Sequence, residues 1–204
     1  MILSLKQILD FLKCPMYYKY KYGPSQTYQL DMLEKYEDDI HKSLYAYHIH
    51  LQNSDRLDAS VLKRIWGSLW IGEKNQYDLI FSQTGDKRDT FNMRRVQGID
   101  NLITYHSRGL KYIGSPILIN HEHIVEITKG LSLKINLELI QQFNGSVELV
   151  NFKADSKKIT NDIVRKEIET TAMSYAFRKE FNQKEDKLIV HYIDKNKRIS
   201  TSRN

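Results

Sequence analysis

The chain has 204 residues, 41% of them hydrophobic, which suits one domain with a sizeable core and excludes a disordered polymer. Lys and Arg number 31 against 25 Asp and Glu, and the net charge of +6 favours a polyanionic partner, nucleic acid before an acidic membrane surface. Cys14 is the single cysteine, which excludes an intramolecular disulfide, a cysteine-ligated zinc and an iron–sulfur cluster held by one chain.

Met1–Lys6 lacks the apolar stretch of a signal peptide, and no apolar run approaches a membrane span. A cytoplasmic protein with no membrane partner is expected. Ser4-Leu5-Lys6-Gln7 reads as a capping box, and Leu5, Ile8, Leu9 and Leu12 form an apolar stripe behind it. Cys14-Pro15 interrupts this helix, and a second short one runs to Tyr22 before Gly23-Pro24 ends it. A longer helix is predicted from about Leu30 to Gln52, carrying His41, and another from Val61 to Leu69. Ile71 to Asp89 is ambiguous, with Gly85–Arg88 as an exposed loop. Phe91 to His106 has helical spacing.

After Gly114-Ser115-Pro116 the pattern changes to strands at Ile117–Ile119, His123–Thr128, Leu131–Ile140 and Val147–Phe152. Thr160 or Asn161 caps a predicted helix to about Phe181, Leu188–Ile193 is a last strand, and Lys195–Asn204 reads as a frayed polar tail. The expectation is one domain over residues 1–204, mixed α/β (α+β). Its helical part spans about 1–113, its sheet core about 114–194 and its tail 195–204.

The hairpin fixes a register. Asn144-Gly145 suits a two-residue turn, so paired residues sum to 289. Ile140 then faces Leu149, Glu138 faces Asn151, and Asn136 faces Lys153. These polar residues share one face, and Leu137, Leu139, Val150 and Phe152 form the buried other. On pattern alone, such a polar face is an ordinary solvated surface.

Four segments follow in an order that bears on function. Ser4–Tyr20 is a serine-capped helix, then Cys14-Pro15 and an aromatic cluster. Glu37–Leu44 places His41 three residues before Leu44. Leu133-Lys134-Ile135-Asn136 and Asn151-Phe152-Lys153 form the hairpin. Thr171 and Tyr175 lie four apart on the following helix. In this order the chain resembles the RecB-like branch of the PD-(D/E)xK nucleases, which includes AddB and the CRISPR-associated RecB-like exonucleases. The resemblance runs from Ser4 to Ile193. It implies a restriction-endonuclease-like mixed sheet flanked by helices, with an N-terminal helical segment.

The resemblance also implies roles. His41, Lys153 and Tyr175 are kept. Asn136 and Asn151 stand where the family has metal-binding aspartates, Thr171 where it has glutamine, and Met16 where it has a basic residue. The glycine that precedes the family's histidine is absent. An intact site holds Mg²⁺ or Mn²⁺ on two acidic residues and the histidine, here His41, and the metal activates water beside the lysine. At an effective dielectric near 20, each ligand charge within ~4 Å is worth about 4 kcal/mol before desolvation. Two Asn therefore weaken metal binding by orders of magnitude, unless Glu138, Glu122 or Asp155 replaces a ligand.

A catalytically impaired nuclease fold is the expectation, as in RecC-like subunits, with no cofactor and with DNA, single- or double-stranded, as partner. A helicase or a replication, recombination or repair protein is the implied protein partner. The candidate nucleic-acid contacts are Lys153, Lys157, Lys158, Arg165, Tyr17 and Lys19. Tyr17, Tyr18, Tyr20 and Tyr22 suit packing more often than base stacking, and the lysines suit a solvated face as well as a nucleic-acid channel. Two alternatives stay open: an active nuclease using Glu138 or Glu122 with Mg²⁺ or Mn²⁺, and a pure protein-interaction module.

Overall fold

The computed structural model describes residues 1–24, 32–53, 58–71, 88–154, 164 and 166–203. In chain order come β1 (Ile2–Ser4), α1 (Leu5–Lys13), α2 (Pro15–Tyr22), α3 (Met32–Asn53), α4 (Ala59–Ile71) and α5 (Arg88–Gly109). A 3-10 turn (Leu110–Tyr112) leads to β2 (Ser115–Thr128), β3 (Leu131–Phe143) and β4 (Ser146–Lys153). Then follow α6 (Ile168–Phe181), β5 (Lys187–Tyr192) and β6 (Lys197–Thr201). The class is mixed α+β, a mixed sheet flanked by helices. No helix among the described residues is long and apolar enough to cross a membrane.

The capping box forms in both directions: Ser4 Oγ accepts the Gln7 N–H, and the Gln7 side chain accepts the Ser4 N–H. Cys14 then caps α2, its Sγ taking the Tyr17 N–H, with Pro15 in the first turn, where its missing N–H costs nothing.

β3 is the hub of the sheet. β2 runs antiparallel along one edge. The other edge is divided: β1 pairs in parallel with Ser132–Lys134, and β4 pairs antiparallel with Leu139–Phe143. Between these, Ile135–Glu138 have no strand partner on that edge among the described residues. β5 continues in parallel beside β4, and β6 antiparallel beside β5.

Two cores flank the sheet. Tyr36, Ile40, Leu44, Trp66, Trp70 and Leu102 from α3, α4 and α5 pack with Leu139, Val150 and Phe152. On the opposite face Met173, Ala176 and Phe177 of α6 pack with Leu133, Ile135, Leu137 and Leu149, with Leu5 and Ile8 of α1 alongside. Each large side chain buried in this way stabilises the fold by about 1.5–3 kcal/mol.

The hairpin register holds from Phe143↔Ser146 to Leu139↔Val150 and includes Ile140↔Leu149, as the Asn144-Gly145 turn requires. The pairs Glu138–Asn151 and Asn136–Lys153 do not follow, because the strands separate after Val150. The facing also differs from simple alternation. Leu137 packs on the α6 side and Leu139 on the α3 side. The change falls at Glu138, opposite Asn120 of β2, whose φ is +51°. Asn tolerates this left-handed conformation, and a strand residue there re-aims its neighbours.

Other boundaries move for local reasons. Ile117–Ile119 and His123–Thr128 are one strand, because β3 pairs on both sides of the Asn120 kink. The last helix starts at Ile168, not Thr160 or Asn161, because Lys166 turns and Glu167 is extended. Thr160 and Asn161 themselves lie outside the described residues. The tail is not frayed: Asn196, with φ of +44°, turns the chain into β6, whose Ile199 is buried with Val164, Val190 and Tyr192. Of the expected Gly85–Arg88 loop, Gly85–Lys87 lie outside the described residues, and Arg88 begins α5.

Candidate functional site

The unpaired stretch of β3 is where the sequence-predicted residues gather. Glu138 occupies the kink. Its Oε2 accepts the backbone N–H of Phe152 at 2.5 Å, taking the place of a β3 carbonyl. Its Oε1 lies 3.8 Å from His41 Nδ1 of α3. Burial raises the Glu138 carboxyl to about 7, although the Phe152 N–H and the Lys153 charge pull the other way. Burial, reinforced by the Lys153 charge, lowers His41 to about 4. Between those values both groups are neutral, so the contact is not an ion pair. His41 Nε2 is buried without a hydrogen-bond partner.

Asn136 turns toward α3. Its Nδ2 donates to Asn120 Oδ1 at 2.9 Å and to the Tyr45 hydroxyl at 3.4 Å, and its Oδ1 is buried and unpartnered. Burial and the nearby Glu138 carboxylate raise the Tyr45 phenol well above its usual range. Asn151 is buried on β4, paired with Val190 of β5.

Lys153 leaves β4 on the α6 side and is not a free cation. Its Nζ lies 3.2 Å from Glu167 Oε1 and in direct contact with the Glu169 carboxylate. Glu167 is the N-cap residue of α6, yet its side chain makes no capping hydrogen bond. The shared polar face therefore divides: Asn136 faces α3, Lys153 faces the start of α6, and Glu138 stands at the gap between them.

Glu122 is exposed and pairs with Lys134 at 2.7 Å. Tyr175 is exposed on α6 with Lys179 Nζ 5.7 Å from its ring centroid. The Tyr17 hydroxyl donates to Glu34 at 3.3 Å beside the buried Lys21, a packing role, and Lys19 is exposed on α2. Lys157, Lys158 and Arg165, like Asp155, lie outside the described residues.

Three features escaped sequence reasoning. Glu167 and Glu169 claim Lys153, and the signal was the Glu-Ile-Glu run at the helix start. A basic cleft lies where the 3-10 turn meets β5 and β6. Its adjoining cavities of about 540 and 640 Å³ are lined by Arg108, Lys111, Lys187 and Lys197 around Tyr112, and by Glu148, which pairs with Arg198 at 2.8 Å and with Lys187 at 3.7 Å. The Arg198 guanidinium and Lys111 Nζ each lie 4.9 Å from the Tyr112 ring centroid. The third feature is a His121–His123–Glu180 cluster, flagged in sequence only by two histidines alternating on a strand.

Mg²⁺ or Mn²⁺ requires several anionic oxygens aimed at one point. Around the gap the donors are a carboxyl bound to Phe152 N–H, an amide and a neutral imidazole. Among the described residues, only His121, His123 and Glu180 bring three His, Cys, Asp or Glu ligand atoms within metal-binding reach of one another. The residues at the gap do not fit such an ion. No protein-family model matches the chain, and no curated protein matches it in sequence.

Proposed function

We propose that the chain is a DNA-binding protein built on a RecB-like nuclease sheet whose catalytic centre no longer assembles. The observation that carries this reading is the engagement of Lys153 by Glu167 and Glu169. In an active site of this type the lysine serves the scissile phosphate and the water that attacks it. Here two carboxylates neutralise it, and Asn136 and Asn151 supply no charge for a metal.

The DNA contact is placed at the basic cleft. Arg108, Lys111, Lys187 and Lys197 are exposed there, and Tyr112 offers a half-exposed ring between cations. A ring flanked by positive charge suits a stacked base with its phosphate, which is the chemistry of single-strand binding. A replication, recombination or repair protein, a helicase among them, is the class of protein partner that this reading implies.

Mobility-shift assays with single- and double-stranded DNA at rising salt test the proposal. Binding should fall steeply with salt, and Lys111→Glu with Lys197→Glu should weaken it more than tenfold. Mg²⁺ or Mn²⁺ should support no cleavage. Metal-dependent cleavage that disappears in Lys153→Ala establishes an active nuclease instead. Absence of binding at low salt leaves the protein-interaction reading.

A further inference from the structure

His121 and His123 alternate on β2. The Asn120 kink turns them to the α6 side, where Val125 of the same strand joins the α6 core. Glu180, in the last turn of α6, reaches between them. Its Oε1 lies 2.6 Å from His121 Nε2, and its Oε2 lies 3.2 Å from His123 Nδ1. One ligand atom from each residue falls within 4.8 Å of the others. All three side chains are partly open to solvent, with exposures of 35%, 23% and 23%. Yet Glu180 Oε2 itself is buried and makes no hydrogen bond.

We propose that His121, His123 and Glu180 bind a divalent transition metal, zinc by preference, with the fourth position open. Two imidazoles and one carboxylate are a borderline donor set, which suits zinc and disfavours Mg²⁺ and Ca²⁺. Metal–ligand bonds of about 2.0–2.1 Å in a tetrahedron separate the ligands by ~3.3 Å. The 2.6 Å and 3.2 Å contacts, made to different oxygens of Glu180, lie within ~0.7 Å of that spacing, and one ligand atom from each residue is already within 4.8 Å of the others.

The local charges favour the same conclusion. Neighbouring cations on α6 are engaged elsewhere: Arg178 holds Glu185 at 2.8 Å, and Lys179 sits over Tyr175. The Lys134–Glu122 pair belongs to neighbouring positions whose strand parity turns them to the other face. The carboxylate charge is therefore left to the two histidines and to whatever they bind together. The cluster is separate from the Lys153 region. Glu169 and Glu180 lie at opposite ends of α6, ~16 Å apart at 1.5 Å per residue. With three protein ligands and one open position, the site has the stoichiometry that activates a bound water or accepts a small anion.

The test uses the full chain after dialysis against chelator. Titration with ZnCl₂ in excess Mg²⁺, followed by calorimetry, should show one saturable equivalent. Co²⁺ should give the visible absorption of a four-coordinate ion. Zinc should raise the melting temperature. Glu180→Gln, which keeps size and hydrogen-bonding capacity, should weaken zinc binding by at least the ~10–100-fold that even outer-shell changes cost. His123→Ala should do the same, while His50→Ala, on the exposed end of α3, should not. The absence of a saturable equivalent in the wild-type chain overturns the proposal. So does unchanged affinity in a folded Glu180→Gln protein, with folding checked by circular dichroism. DNA binding at the basic cleft is read separately, so either proposal can fail alone.

Discussion

Glu138 and Phe152 are joined by a hydrogen bond that stands in for a rung of the sheet: the Glu138 carboxyl Oε2 accepts a backbone N–H that a β3 carbonyl would otherwise take. Burial raises the Glu138 carboxyl from 4.5 to about 7. Between those values the folded protein holds a proton that the unfolded chain releases. Stability from this group is present below pH 4.5 and is lost as pH rises through 7. The loss is at most ~3 kcal/mol at 1.36 kcal/mol per unit. Glu138→Gln should remove that slope and raise the urea midpoint at pH 8. A midpoint at pH 8 that falls in the variant refutes the assignment.

Buried imidazoles act in the opposite sense. Burial lowers His48 to about 3 and His41 and His191 to about 4, from 6.5. His48 stacks on Phe152 at 5.8 Å and shares a 2.8 Å hydrogen bond with the Tyr105 hydroxyl. Below 6.5 the unfolded chain takes up protons that the folded protein refuses, so stability is lost as pH falls toward 4. In Glu138→Gln this acid loss should appear undiluted. NMR titration should find the His48 and His191 rings neutral down to pH 5. Protonation of either near pH 6.5 in the folded protein contradicts the burial argument.

Lys153 carries a stability prediction besides its functional one. Lys153→Met leaves Glu167 and Glu169 facing each other, partly buried, without their cation. The expected cost is about 1–3 kcal/mol in urea unfolding. Adding Glu169→Gln should recover part of it. Additive losses in the double variant show that the ion pair is not what holds the start of α6 to β4.

Gly98 on α5 meets Trp66 of α4. A Cβ there falls 2.2 Å from Trp66 Cζ2. Trp66 is buried, stacks on Trp70 at 5.0 Å and donates its indole N–H to the Arg95 carbonyl. It cannot withdraw without losing all three relationships. Gly98→Ala should destabilise the protein by about 1–3 kcal/mol, although alanine is the better helix former. An unchanged thermal midpoint indicates that α4 and α5 slide apart freely.

Much of the fold was legible because its signals were local. The Ser4–Gln7 box, the Cys14-Pro15 break and the Asn144-Gly145 turn each act within a few residues, and each forms as the sequence implies. The candidate site was legible only in part, because its geometry is set by distant partners. The 289 register reaches Leu139↔Val150 and no further, since β4 then follows β5 away from β3. Nothing near Asn136 in sequence announces that Asn120 reverses the facing of both strands. β6 was hidden for a similar reason: Ile199 is its one apolar residue, and one residue has no periodicity. Arg203, read as part of a loose tail, donates to Thr170 and Thr171 and to the Val164 and Glu167 carbonyls at the entrance to α6.

The divided edge of β3 also sets an order of events during synthesis. Ile2–Ser4 precede their partners Ser132–Lys134 by 130 residues. The α1–α2 pair can form at once from its own caps. Its strand, and the apolar stripe of Leu5 and Ile8 behind it, must wait exposed until the hairpin exists. At roughly 5–20 residues per second that wait lasts on the order of ten seconds. β1 therefore docks only after β3 exists, and the apolar stripe on α1 stays uncovered until then.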